Sequence, residues 1–400
     1  MNRERINFLI SNWNFVNLLF GFSFVTTLFL NNGESLISTN ITIPYRLASL
    51  IFSILVIFYN LGNYKKITIL ANVFILFYLA YILKIFICLN FDTSVFYGKS
   101  DITYYSFSIL IVFIPLISVL LSCAKMDLNF ILKNSFLIVF ISSILATLGY
   151  NPAIQTGIEE RLDANVALSS ISFGHLGVSL IILSFSVFRK SVYYKIFAIF
   201  SLFLGLFIII IAGSRSPFLA LIFIVGVFIM QSRLNKVVLF STLVLFMSTI
   251  YIFLEDILLF VKLYSQVAFS RLSASIEDGD TGERDSYYNA AIEQFFESPF
   301  IGGNFVLKYG LGKGDYPHNL FLEALMAFGI FGGLVVFIFH LRVFYLSQVV
   351  ISLDGNYRFL FLLFIQFFVL SSLHGSWWGA TSFVFVLGFF LNFRQKNSNF

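Results

Sequence analysis

Apolar runs of about 17 to 25 residues recur along nearly the whole chain, and they constrain the fold more than any other feature. A run of this length forms an α-helix that can cross roughly 30 Å of hydrocarbon, with its backbone groups satisfied inside the helix. Charged residues make up only 11% of the 400, whereas a soluble domain carries about a quarter. The sequence therefore predicts an all-α, polytopic integral membrane protein, with residues 1–400 in a single multi-spanning domain.

The apolar stretches between charges predict about twelve transmembrane helices. They lie near residues 14–30, 45–60, 67–91, 105–124, 133–150, 168–188, 196–212, 216–231, 237–254, 318–341, 358–373 and 377–393. One large hydrophilic loop, residues 255–316, separates the ninth predicted span from the tenth.

Basic residues occupy every second connection between the spans, which is the pattern of cytoplasmic loops. They are Lys65, Lys66, Lys125, Lys133, Arg189, Lys190, Lys195, Arg233, Lys236, Arg342 and Arg358. The intervening connections are acidic or neutral. Both termini are therefore predicted to be cytoplasmic, and the loop 255–316 is predicted to lie on the non-cytoplasmic side.

The large loop is predicted to contain an amphipathic helix at the membrane surface. Asp285 and Ser286 precede apolar residues at helical spacing, and Pro299 closes the run. The flanking stretches 276–282 and 302–314 are rich in glycine, the first also in aspartate, and they are predicted to be flexible, lid-like connections.

Other compositional signals exclude several classes of protein. The net charge of +5 comes from scattered Lys and Arg that form no basic stripe, so no nucleic-acid partner is predicted. Cys88 and Cys123 lie in or at the end of predicted spans, so neither a disulfide framework nor a metal site is indicated. No cofactor is predicted. The first apolar segment lacks a small-residue cleavage pattern and is predicted to be a retained helix.

Arg215 lies in a short connection, Ala212-Gly213-Ser214-Arg215-Ser216-Pro217, on the predicted outer side. Its guanidinium and the first backbone N–H groups of the next helix could together bind an anion. Alternatively, Arg215 is a snorkelling arginine that contacts lipid headgroups.

His318 ends the large loop in the sequence Asp315-Tyr316-Pro317-His318-Asn319-Leu320. Near a helix N-terminus neutral imidazole is favoured, so His318 could act as a general base. The alternative is an interfacial histidine that caps the helix together with Asn319. Glu323, about one helical turn later, either orients His318 or favours the helix start electrostatically.

Three further arginines of the predicted outer side are open to two interpretations. Arg161 is either an anion ligand or an ion-pair partner of its acidic neighbours, and Arg271 and Arg284 are either ligands or solvated charges. Lys84, His175 and His340 are polar residues within predicted spans, where such groups are usually functional.

The second half of the chain resembles the superfamily of O-antigen polymerases and O-antigen ligases. Gly213-Ser214-Arg215-Ser216 resembles the family's Ser-Arg-small motif, and Pro317-His318-Asn319 through Glu323, with Phe328-Gly329-Ile330-Phe331-Gly332, resembles its His-Asn element and the following helix. Between them, Glu283-Arg284-Asp285 through Gly302-Gly303 resembles the order of residues in the family's external loop. The matches cover about 120 residues.

The resemblance implies a glycosyltransferase in the bacterial inner membrane that uses polyprenyl-pyrophosphate-linked glycans at its periplasmic face, in lipopolysaccharide biosynthesis. It implies that Arg215, Arg161 and Arg284 bind the donor's pyrophosphate and that His318 activates the acceptor hydroxyl, without metal and with inversion. Glu323, Asn319, Tyr316 and Arg271 are expected to support the site. The partners implied are lipid-linked donor and acceptor, membrane lipid, a chain-length regulator protein and a flippase.

Three functional hypotheses follow from these observations. The favoured one is an O-antigen polymerase, which joins lipid-linked repeat units. The second is an O-antigen ligase, which delivers the glycan to lipid A core from the same donor. The third is a flippase for the same glycans, but a flippase is expected to place charged groups along several spans, whereas here charge concentrates at one face.

Overall fold

A computed structural model gives the architecture of most of the chain. It describes residues 2–28, 41–149, 163–165, 168–188, 192–231, 237, 241, 244, 245, 248, 252, 254–264, 269, 273, 284–353 and 355–393.

The described residues form thirteen helices and one short pair of strands. The helices are α1 (Arg3–Thr27), α2 (Thr42–Lys66), α3 (Ile69–Phe91), α4 (Asp101–Lys125), α5 (Leu128–Leu148), α6 (Ser170–Val187), α7 (Val192–Ala212), α8 (Arg215–Gln231), α9 (Leu254–Tyr264), α10 (Arg284–Glu297), α11 (Leu320–Leu353), α12 (Arg358–His374) and α13 (Thr381–Leu391). Within them, Asn17–Gly21 and Ser106–Phe113 are π-helical, Leu61–Lys66 and Cys123–Lys125 are 3₁₀-helical, and a 3₁₀ turn, Gly355–Tyr357, precedes α12. The strands β1 (Asp163–Asn165) and β2 (Leu168–Ser169) pair antiparallel before α6.

The prediction of an all-α polytopic membrane protein is confirmed. Nine helices in the described part of the chain are long and apolar enough to cross a membrane, and Arg215–Phe228 and Thr381–Leu391 are shorter apolar helices. Each predicted span overlaps one of these helices except the span at 237–254, which lies largely outside the described residues.

Polar side chains at the helix starts satisfy backbone N–H groups that have no partner inside the helix. Asp127 accepts from the backbone N–H groups of Asn129 and Phe130 at the start of α5, at 2.8 and 3.2 Å. Thr68 caps α3 in the same way, because its hydroxyl accepts from the N–H of Ala71 at 3.2 Å. The sequence therefore sets these helix boundaries locally.

Helix α6 is the most enclosed of the candidate spans, since 78% of its apolar window is buried. It approaches α7 closely at Gly177 and Gly205, where a Cβ on either glycine would lie 2.7–2.8 Å from the carbonyl oxygen of the other. Its opposite side is tied to α12 by Gln366, which donates to the carbonyl of His175 at 2.7 Å and bonds to Ser179. Small residues and polar side chains thus hold the helices together, as they do where lipid replaces water.

The stretch 302–314, predicted to be a flexible lid-like connection, is instead packed against the helices, so that prediction is wrong. Phe305 is fully buried, with its ring centroid 5.1 Å from that of Tyr104. Asn304 donates to the Asp92 carboxylate at 3.3 Å. The hydrogen bond from the Ser94 hydroxyl lowers the pKa of Asp92, which keeps the carboxylate charged as an acceptor. The other predicted lid stretch, 276–282, lies outside the described residues.

The helix predicted in the large loop is confirmed as α10, which ends at Glu297, two residues before Pro299. Ala291 and Gln294 face the protein and are buried. On the other side of α10, Ile292 and Phe296 are 41% and 70% exposed, so this helix has a buried side and an exposed apolar side.

Helix α11 is broken at Gly329, within the span that the sequence predicts as continuous. Gly329 has φ 66° and ψ −157°, a conformation essentially confined to glycine. The N–H of Ile330 donates to the carbonyl of Pro299, and the carbonyl of Met326 accepts from the N–H of Gly303, both at 2.8 Å. The break removes hydrogen bonds within the helix, and the segment after α10 replaces them with its own backbone groups. A break in a membrane helix requires such replacement.

We expect Gly329→Ala to destabilise the protein. The added Cβ would lie 2.5 Å from the backbone of Phe300, and the backbone strain alone costs about 1–3 kcal/mol. Thermal unfolding in detergent should show a Tm several degrees lower than that of the wild type. Gly226→Ala in α8, where a Cβ meets nothing within 4 Å, is the matched control and should not lower the Tm. Equal melting temperatures for both variants would contradict this account of the break.

Candidate active site

A cavity of about 930 Å³ opens at one end of the helix bundle. Its walls come from the start of α6, the turn between α7 and α8, the start of α10, the segment before α11, the end of α12 and the connection to α13. The predicted site residues Arg215, Arg284, Tyr316 and His318 all line it. No aspartate or glutamate is among the described residues of its walls, so the cavity is a cationic and hydroxyl-rich site.

The start of α8 is fixed against α6, and this places Arg215. Gly213 takes φ 58° and ends α7, and Arg215 is the first residue of α8. The neighbouring Ser216 hydroxyl lies 3.2 Å from Nε2 of the buried His175. Gly174 is also required here, because a Cβ on it would lie 2.4 Å from Pro217. Arg215 therefore presents its guanidinium to the cavity from an anchored turn, together with the N-terminal end of a helix.

His318 adopts φ 54°, and it is the sole non-glycine residue with positive φ among the described residues. Such a conformation costs about 1–3 kcal/mol and persists where the surroundings determine it. The imidazole packs against Tyr316 and Tyr287, with centroid distances of 4.3 and 5.3 Å. With this strained backbone, His318 lines the cavity and its imidazole lies between two aromatic rings.

Asn319, and not His318, caps α11. Its Oδ1 accepts from the N–H groups of Phe321 and Leu322, at 2.9 and 3.1 Å. The motif was predicted to supply either a helix cap or a group that faces the site. The structure shows both, because Asn319 caps the helix and His318 lines the cavity.

Glu323 does not orient His318, which corrects one of the two roles expected for it. The carboxylate is fully buried, and it accepts hydrogen bonds from the hydroxyl of Tyr81 and from the backbone N–H of Trp377, the latter at 3.1 Å. Trp377 in turn donates its indole N–H to the carbonyl of Leu320 at 2.8 Å. Glu323 therefore supports the site indirectly, because it anchors the connection between α12 and α13 that forms one wall of the cavity.

Arg284 is the first residue of α10, and its Nη2 lies 2.9 Å from Nε2 of His374 at the end of α12. His374 and the connection that follows it, residues 375–380, were not singled out from the sequence. A signal was present: His374 ends a predicted span on the side of His318, and it is followed by two of the chain's three tryptophans, Trp377 and Trp378.

Several other predicted residues lie away from the cavity or outside the described part. Arg161 and Arg271 lie outside the described residues. His175 is buried beneath Ser216, and His340 is packed between Phe368 and Phe383 and bonded to its own helix. Neither these two histidines nor Lys84 line the cavity.

Residues 200–337, about a third of the chain, match the family model described as O-antigen ligase. This stretch is similar to the O-antigen ligase family. The match confirms the resemblance to the superfamily of O-antigen polymerases and ligases, and it includes Arg215, Arg284 and His318. His374 and α13 lie beyond the matched residues of the O-antigen ligase family. No curated protein matches the chain.

We expect Glu323→Leu to destabilise the connection after α12, whereas Glu323→Gln should be tolerated. Leucine would leave the buried N–H of Trp377 without its acceptor, at a cost of about 1–3 kcal/mol. Glutamine keeps one carbonyl oxygen for Trp377, and the Tyr81 hydroxyl can rotate to accept from the amide. Thermal unfolding in detergent should therefore rank the wild type and the glutamine variant above the leucine variant. A glutamine variant as unstable as the leucine variant would show that the charge itself is required.

Proposed function

We propose that this protein is an O-antigen polymerase, a glycosyltransferase that joins oligosaccharide repeat units carried on polyprenyl pyrophosphate. The observation that carries the proposal is the convergence of Arg215, Arg284 and His318 on one cavity. These residues come from three separate parts of the chain, and each belongs to a motif that resembles the family.

The cationic wall of the cavity suits the pyrophosphate of the donor. Guanidinium groups form strong, directional hydrogen bonds to phosphate oxygens, and Arg215 and Arg284 each begin a helix. Negative charge grows on the pyrophosphate as its bond to the anomeric carbon breaks, and fixed donors stabilise that charge. In this proposal the arginines provide the positive charge that a divalent metal provides in many nucleotide-sugar enzymes.

His318 is the proposed general base. It would take the proton from an acceptor sugar hydroxyl while the hydroxyl oxygen bonds to the anomeric carbon, and polyprenyl pyrophosphate would leave with the electrons of the broken C–O bond. Attack from the face opposite the leaving group inverts the anomeric configuration. Tyr316 and Tyr287 pack on the imidazole and restrict its rotation.

The proposed cellular setting follows from the charge pattern and the family. We place the protein in the bacterial inner membrane, with both termini in the cytoplasm and the cavity open to the periplasm. Its proposed substrates are lipid-linked glycans as donor and acceptor. A flippase that supplies them and a protein that regulates chain length are the partners this placement implies.

The ligase is the second candidate, and the description of the matching family model favours it. A ligase would use the same donor and the same arginines but would transfer the glycan to lipid A core. The roles proposed above, pyrophosphate binding by the arginines and proton removal by His318, are the same for both activities.

Purified protein incubated with lipid-linked repeat units separates the two candidates. A polymerase should form longer lipid-linked glycans without any core acceptor, and gel electrophoresis of the released glycans would show a ladder. Transfer that occurs only after lipid A core is added would replace the polymerase with the ligase. Movement of the lipid-linked glycan across a vesicle membrane, without any new glycosidic bond, would support the flippase instead.

We expect His318→Ala to lower the rate of transfer about 10²- to 10⁴-fold, the usual contribution of a general base. Arg215→Ala should lower it at least about tenfold, because a charge-assisted hydrogen bond to the pyrophosphate is lost. Arg342→Ala, near the other end of α11 and outside the cavity walls, is the matched arginine control and should retain activity. Full activity in the His318 variant, with insertion in the membrane verified, would remove the base assignment.

A further inference from the structure

We propose that His374 is a positioning residue that holds Arg284 in the orientation in which it binds the pyrophosphate of the lipid-linked donor. This inference rests on the proposed function, because it assigns a role within the same cavity. It adds a residue that lies outside the stretch matched by the family model.

The contact joins two elements that are far apart in sequence. Arg284 begins α10, and His374 ends α12, ninety residues later. The chain leaves the helix at Gly375, which is extended at φ −91° and ψ 161°, and its N–H still bonds to the carbonyl of Ser371 at 3.1 Å. This close of α12 places the imidazole at the cavity wall, where its Nε2 lies 2.9 Å from Nη2 of Arg284.

The direction of this hydrogen bond determines the protonation state and tautomer of His374. A guanidinium has donors and no acceptor, so Nε2 of His374 must accept with its lone pair. The ring is then neutral and carries its proton on Nδ1. His374 therefore cannot take a substrate proton on Nε2 while it holds Arg284, and its role is distinct from that of His318.

A neutral acceptor is well suited to this cavity. A carboxylate in the same place would also hold Arg284, but its negative charge would compete with the pyrophosphate for the guanidinium and would repel the donor. The imidazole engages one of the five guanidinium N–H groups and leaves the positive charge in place. Among the described residues of the cavity walls, the titratable and charged side chains are Arg215, Arg284, His318 and His374, with Tyr287 and Tyr316, and none is an acid.

Holding the guanidinium before the donor arrives favours binding. An arginine side chain has several rotatable bonds, and each one that is fixed in advance lowers the cost of ordering it on binding. The same fixed orientation is what a charge-stabilising donor needs in the transition state. Loss of His374 should therefore weaken the contribution of Arg284 to binding and leave the remainder of the cavity unchanged.

Three substitutions at one position test the hydrogen bond itself. The side-chain oxygen of glutamine reaches the place of Nε2, that of asparagine reaches only the place of Nδ1, and leucine has no acceptor. The probe is a polyprenyl pyrophosphate without sugar, and the measurement is its Kd for the detergent-solubilised full chain. We expect His374→Gln to bind within about threefold of the wild type, and His374→Asn and His374→Leu to bind about tenfold more weakly, the loss of one charge-assisted hydrogen bond.

The control and the double variant exclude a merely structural effect. His340→Gln changes a histidine of the same bundle that does not line the cavity, and it should leave the Kd unchanged. In an Arg284→Ala background, His374→Leu should have no further effect on the Kd, because the interaction it removes is already absent. Melting temperatures of all variants establish that each one is folded.

The outcomes separate this inference from the proposed function. Wild-type protein that does not bind the probe would overturn the proposed function, and with it this assignment. Wild-type binding together with equal Kd values for the wild type and His374→Leu would overturn the role of His374 alone. A glutamine variant as weak as the leucine variant, or additive losses in the double variant, would also overturn it.

Discussion

Hydrocarbon offers no water to a helix that is interrupted, so the break at Gly329 in α11 depends on backbone partners from elsewhere in the chain. The segment after α10 provides them through Pro299 and Gly303. Because these bonds join α10 to the middle of α11, they fix two helices that each carry a residue of the cavity at their start. Arg284 begins α10, and His318 directly precedes the cap of α11. The relative position of Arg284 and His318 therefore follows from a backbone constraint distant from both.

Burial keeps the carboxyl group of Glu323 away from the cavity walls. The first carboxylate after His318 in the sequence is Glu323, and it is fully buried against Tyr81 and Trp377. Its two oxygens are occupied by these hydrogen bonds, which secure the connection after α12. The described residues of the cavity walls include arginines, histidines and hydroxyl groups, and the neutral ring of His374 accepts a hydrogen bond from Arg284. An anionic ligand would meet no carboxylate among the described residues of these walls.

Hydropathy alone predicts most of the helices, because the length of an apolar run is set by the thickness of the hydrocarbon. The resemblance to the family also selects three residues that line one cavity, Arg215, Arg284 and His318, since each belongs to a short local motif. The sequence does not predict the partners of Glu323, which depend on packing between α11, α3 and the connection after α12. His374 was missed for the same reason, as its contact with Arg284 exists only once α10 has folded back over the bundle.

The stretch 302–314 shows a further limit of the sequence argument. Frequent glycines predict a loop, but composition does not tell whether a loop is packed. Here Phe305 enters an aromatic cluster with Tyr104, and its neighbour Asn304 is held by Asp92. Burial of a few apolar side chains is enough to fix a glycine-rich segment, because the burial of each contributes about 1.5–3 kcal/mol.

The sequence Pro317-His318-Asn319 combines three physical tasks in consecutive residues. Proline restricts the residue before it to extended conformations and fixes its own φ, which ends the preceding segment. Asn319 caps the start of α11, because its side-chain oxygen accepts hydrogen bonds from two backbone N–H groups. His318 lies between these fixed neighbours and is left with a left-handed backbone, φ 54°, that a bulky residue otherwise avoids. The backbone strain therefore falls on the residue whose side chain faces the cavity. Any residue substituted at this position must adopt the same backbone conformation.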